Sequence, residues 1–172
     1  MRELTDADRL RRFMRALGGV AEEETTCYLT GGATAVLIGW RPTTLDVDIS
    51  LDPDRDDVLA ALARLKDELQ MNIELASPGD FVPLPARWEE RSPIVERQGR
   101  VTFRHFDPYS QALAKLERGH AQDRGDVDEL IARGLVERGR LLELFSEIEP
   151  QLYRFPAIDP ETFRQSVEDI AA

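Results

Sequence analysis

The stretch "TTLDVDIS", Thr43 to Ser50, alternates apolar and polar residues as a half-buried strand does. Leu45, Val47 and Ile49 fall on one face, and Asp46 and Asp48 on the other, about 7 Å apart along the strand. Like charges side by side repel, and Asp is a poor strand former, so the pair calls for a compensating partner. A divalent cation is one. Magnesium prefers oxygen ligands, keeps several waters, and takes one or two protein carboxylates together with substrate phosphates. Two cations held this way can activate an attacking oxygen and stabilise a leaving pyrophosphate. The plain alternative is a polar strand face turned to water.

The residues just before this strand bear on that choice. "TTCYLTGG" has the composition of a short strand that ends in Gly31–Gly32, and "ATAVLIGW" follows as a small apolar helix. Backbone N–H groups at such a turn can approach and hold phosphate, with help from the helix dipole. An ordinary tight turn would have the same sequence.

The elements that must carry these residues can be read along the chain. "TDADRLRRFMRALGG" predicts a first helix, capped by Thr5 with Asp8 close to a capping box and stopped at Gly18–Gly19. Val58, Leu59, Leu62, Leu65 and Leu69 have helical spacing. "MNIELA" and "RVTFRHF" predict two more strands. Between them "SPGDFVPLPARWEERSP" carries four prolines and predicts a long irregular loop. Asp107–Pro108 opens a helix through "YSQALAKLERG", and further helices are expected near 124–134, 137–147 and 160–170. The fold class expected is α+β: a mixed sheet flanked by helices, followed by C-terminal helices.

"LTGGATAVLIGWRPTTLDVDI" resembles the signature of the nucleotidyltransferase superfamily, the fold of polymerase β and the aminoglycoside nucleotidyltransferases. The resemblance is nearest to AbiEii-type toxins and related bacterial nucleotidyltransferases. It implies that Gly31 and Gly32 form the phosphate turn, that Asp46 and Asp48 bind metal, and that Thr30 or Thr34 adds a hydroxyl at the phosphates. Arg41 stands where that branch often has an Arg, in the nucleotide-binding set. A third carboxylate is expected on a neighbouring strand, and Glu74 in "MNIELA" occupies that place, with Asp80 a weaker claimant. "ALAKLERGHAQDRGDVDEL" is similar to a second stretch of these toxins: Lys115 would neutralise triphosphate charge, and Asp126 would orient it or act as a base.

The resemblance implies transfer of a nucleoside monophosphate from an NTP to an acceptor hydroxyl, with Mg2+ or Mn2+ as cofactor. The acceptor would be tRNA, a protein or a small molecule. A toxin–antitoxin or phage-defence role follows, with a cognate antitoxin or toxin as partner. The rival reading is a non-catalytic module of the same fold that binds nucleotide or a partner. Residues 1–108 are expected to form the α/β core. Residues 109–172 are expected to form a helical region packed on it as one unit.

Composition bounds these readings. The chain has 172 residues and 42% hydrophobic content, enough for a proper core. Net charge is −11, which argues against a surface that attracts nucleic acid everywhere, though a local basic groove remains compatible. Its cations are 20 Arg and 2 Lys, so Lys115 is one of a scarce type. The lone Cys27 sits in an apolar stretch and is expected to be a small buried hydrophobe. A charged beginning and the lack of an apolar run near ~20 residues predict a cytoplasmic chain with no membrane partner.

Overall fold

The computed structural model describes residues 3–172. The chain runs α1 (Ala7–Val20), β1 (Thr25–Thr30), α2 (Gly32–Ile38), β2 (Asp46–Asp52), α3 (Asp56–Glu68) and β3 (Asn72–Leu75). Then come two 3-10 turns, β4 (Ile94–Gln98), β5 (Val101–His105), α4 (Pro108–Arg118), α5 (Ala121–Ala132), α6 (Arg138–Ile148) and α7 (Pro160–Ala171). The expected fold class holds: a mixed sheet with helices, then C-terminal helices.

Contacts divide the chain into two units. The first comprises the residues through Ser77 with Pro93–His105; the second comprises Pro78–Ser92 with Phe106–Ala172. The Pro-rich segment groups with the C-terminal helices.

In the first unit the five strands form one sheet in the order β3-β2-β1-β5-β4. The pairs β1–β2 and β4–β5 are antiparallel, and β2–β3 and β1–β5 are parallel. Strand alternation gives the sheet two unlike faces. One face buries Cys27, Leu29, Val47, Ile49, Ile73, Val101 and Phe103 against Leu10, Phe13, Met14 and Leu17 of α1, Ala33 and Val36 of α2, and Val58, Leu62 and Leu65 of α3. The other face carries Asp46, Asp48, Asn72 and Glu74. Burial drives the Cys27 thiol pKa far upward, so it stays protonated and inert, as expected of a packed hydrophobe.

Several local expectations change. Asp6, not Thr5, caps α1, accepting from the Arg9 N–H at 2.9 Å. Thr5 is buried and pairs its backbone with Thr44. Leu45 precedes β2 and is exposed, so only Val47, Ile49 and Leu51 form the buried row. The strand β4 was not expected; it closes a hairpin with β5 at Gly99, whose φ is +59°. Helix α5 starts earlier than expected, at Ala121. Asp123 therefore falls in its first turn, and Asp128 lies mid-helix.

In the second unit Asp107 caps α4 as expected. It is fully buried and accepts from the Tyr109 and Ser110 N–H groups, the Ser110 hydroxyl and the Arg91 guanidinium. Trp88 is stacked on Phe106 at 4.3 Å between ring centroids. Phe145 meets Phe163 edge-on at 4.9 Å between α6 and α7. Among the described residues no helix is long and apolar enough to cross a membrane.

Candidate functional site

The first unit gathers most of the singled-out residues at one end of β1 and β2. Thr30, the last residue of β1, is in register with Asp48. Beyond it Gly31 adopts φ 63° and ψ −122°, a region that a side chain rarely enters. A Cβ there would lie 3.6 Å from Asp48 Oδ2, so the turn's backbone rests beside that carboxylate. At Gly32 a Cβ would stand 2.0 Å from Thr44 Oγ1 and 3.4 Å from Arg41 Nη1. The missing side chain thus lets Thr44 close on the turn, with the Arg41 guanidinium alongside. Thr44 Oγ1 in turn donates to the Asp46 carbonyl at 2.9 Å and ties the turn to the start of β2.

The parallel pairing of β2 with β3 sets Asp46 opposite Asn72 and Asp48 opposite Glu74. Paired strands lie about 4.8 Å apart and paired side chains point the same way. Asp46, Asp48 and Glu74 therefore share one sheet face, and Glu74 occupies the neighbouring-strand place expected of a third carboxylate. Asp46 and Asp48 are half-buried and Glu74 is exposed. Asp80 lies in the second unit, in a 3-10 turn.

Sequence reasoning missed Asn72, whose amide Nδ2 donates to both Asp46 Oδ1 and Glu74 Oε1. The alternation in "NIEL" puts Asn72 on the face of Glu74. Only the register shows that it meets Asp46.

Thr34 sits inside the first unit. It is 1% exposed, and its hydroxyl lies 3.2 Å from the Leu29 carbonyl and 3.0 Å from His105 Nδ1. The hydroxyl has one proton; given to Leu29, it accepts from a neutral His105 ring protonated at Nδ1. Burial holds the His105 pKa down to about 4. Thr34 thereby joins α2 to β1 and β5 inside the first unit.

Lys115 and Asp126 belong to the second unit. Lys115 Nζ is 2.8 Å from Asp126 Oδ2 and 3.6 Å from Asp123 Oδ1, joining α4 to α5. Arg118 Nε adds a contact of 3.4 Å to Asp123. Both acids are buried, so this is no exchangeable surface network. The contact through which Asp126 would orient Lys115 is present.

The family described as "Nucleotidyltransferase of unknown function (DUF6036)" matches residues 8–163. The chain belongs to this family. The DUF6036 match takes in the glycine turn, both aspartates of β2 and the Lys115–Asp126 pair. No curated protein matches the chain. Among solved structures it is similar to an antigenic nucleotidyltransferase-like protein from Paracoccidioides brasiliensis. That likeness has a TM-score of 0.48 at 12% identity, covering 96% of this chain and 95% of the other.

The donor set can be tested against a divalent cation. Carboxylate oxygens on adjacent strands are the hard ligands that magnesium and manganese take, and one or two suffice where a substrate supplies phosphates. Asp46 and Asp48, with the Gly31 backbone beside them, fit that requirement. Among the described residues no three His, Cys, Asp or Glu side chains converge as a ready cage. The fit is therefore to a cation completed by substrate oxygens, not to one enclosed by protein alone.

Proposed function

We propose that this member of the nucleotidyltransferase family is an active enzyme. It would move a nucleoside monophosphate from an NTP to an acceptor hydroxyl, with Mg2+ or Mn2+. The observation that carries the reading is the approach of the Gly31 backbone to Asp48 Oδ2 on the face shared with Asp46 and Glu74. A phosphate-holding turn and a carboxylate pair then serve one triphosphate. When bound, the cation would be held by Asp46 and Asp48, with Glu74 in reach of the same face, and would neutralise phosphate charge.

The chain's own residues supply the rest. Gly31 and Gly32 give backbone close approach. The Arg41 guanidinium, beside the same turn, offers a fork of donors to phosphate oxygens. A carboxylate of the group accepts the proton of the acceptor hydroxyl as the new phosphoester bond forms and pyrophosphate leaves. Lys115, oriented by Asp126, would contribute positive charge to the triphosphate. The acceptor classes are tRNA, a protein or a small molecule. An AbiEii-like toxin–antitoxin or defence setting, with a cognate antitoxin and in the cytoplasm, extends this reading.

The test is incubation with each labelled NTP, magnesium, and total tRNA or cell extract. Label transfer that disappears in Asp46→Ala and Asp48→Ala is the expected result. One observation favours a second reading, a nucleotide-binding module without catalysis: Lys115 is committed to two buried acids. Nucleotide binding without transfer to any acceptor would select that module.

A further inference from the structure

The Asn72 side chain bridges two of the carboxylates, Asp46 and Glu74, across strands. It sits on β3 in register with Asp46 and two residues from Glu74. Its single amide nitrogen donates to Asp46 Oδ1 at 2.5 Å and to Glu74 Oε1 at 3.1 Å. An amide NH2 has two hydrogens, so each carboxylate receives a full donation. A neutral group between two anions eases their repulsion without adding charge. One oxygen of each acid is fixed, while Asp46 Oδ2 and Glu74 Oε2 keep no hydrogen bond or ion pair to the protein among the described residues.

We propose that Asn72 is the positioning residue of this site, orienting Asp46 and Glu74 so that their uncommitted oxygens face the divalent cation. The inference rests on the reading above that this face takes such a cation. Asn72 is not a ligand here; it acts through the acids it holds. Hydrogen bonds to metal-ligating carboxylates set ligand orientation, and losing one costs about 10- to 100-fold in metal affinity.

The full chain, stripped with EDTA, is titrated with Mn2+ and followed by electron paramagnetic resonance. Wild type, Asp48→Ala and Asn72→Leu are compared, the last keeping the side chain's bulk without its donors. Melting temperatures in EDTA accompany each titration. Mn2+ binding weakened about tenfold or more in Asn72→Leu is expected. A second measurement needs no variant: the Asn72 side-chain amide resonances of the wild type should shift during a Mg2+ titration, with the midpoint of binding. A folded Asn72→Leu with wild-type Mn2+ affinity overturns the proposal, as do amide resonances that stay still through saturation. If binding is lost in Asp48→Ala yet unchanged in Asn72→Leu, the role of Asn72 fails alone. If the wild type binds no Mn2+ either alone or with a non-hydrolysable NTP analogue present, the cation reading fails and the role of Asn72 falls with it.

Discussion

Lys115 and His105 are both polar groups inside the fold, and each predicts a measurable loss. Removing Lys115 takes the cation at 2.8 Å from buried Asp126 and one of the two cations beside buried Asp123, the other being Arg118. Breaking a buried pair by deleting one partner costs about 3–5 kcal/mol, because a charge is left uncompensated. Lys115→Met should therefore lower unfolding free energy by that order in urea titrations. A Lys that served only at phosphates would leave stability intact, so the melt separates the two roles before any activity is measured. For His105 the folded-state pKa of about 4 lies below the ordinary value of 6.5. The unfolded chain thus binds more protons between these values, and stability rises with pH across that window. Acidification from pH 7 to pH 5 should cost about 2 kcal/mol through this residue alone. His105→Gln should flatten that part of the pH–stability curve, as read by urea midpoints.

The link from α2 to β2 is where packing and site meet among the elements. Thr44 is held on one side by backbone pairing with Thr5 and on the other by its bond to the Asp46 carbonyl. It cannot swing away from a Cβ placed 2.0 Å from its hydroxyl and 2.7 Å from its own Cβ. Gly32→Ala should cost about 2–3 kcal/mol by overpacking, seen as a lower urea midpoint. It should also reduce any label transfer, since moving Thr44 shifts the start of β2. Much of this was legible in the chain. The alternation of "DVDIS" marks β2, and the helical spacing through Leu65 marks α3. The strand β4 was not legible, because "IVERQ" has only two apolar residues and lies at a half-exposed sheet edge. Nor was the contact of Asn72 with Asp46, which depends on strand register. Nor was the burial of Thr34, because a hydroxyl in the first turn of a helix suits either a phosphate or a carbonyl.

For the molecule as a whole, net charge bears on the acceptor. At −11 the chain as a whole does not attract RNA, so tRNA binding would rest on a restricted set of Arg contacts. A protein that contacts 6–10 phosphates loses about 10³–10⁵ in affinity between 50 and 200 mM salt. If tRNA is the acceptor here, its KM should rise by less than about tenfold over that range, checked by label transfer at stepped potassium chloride. A steeper rise would reveal a concentrated basic groove despite the acidic total.

The strand order β3-β2-β1-β5-β4 has a further consequence during synthesis. Strand β1 lies between β2 and β5, yet β5 begins only at Val101. Everything from Asp52 to Arg100 must leave the ribosome before β1 gains its second neighbour. Until then the backbone of "TTCYLT" presents an open edge beside apolar side chains, a template for pairing with another nascent chain. Ribosomes that stall before β5 should therefore release aggregating fragments, whereas stalling after His105 should release chains whose sheet can close.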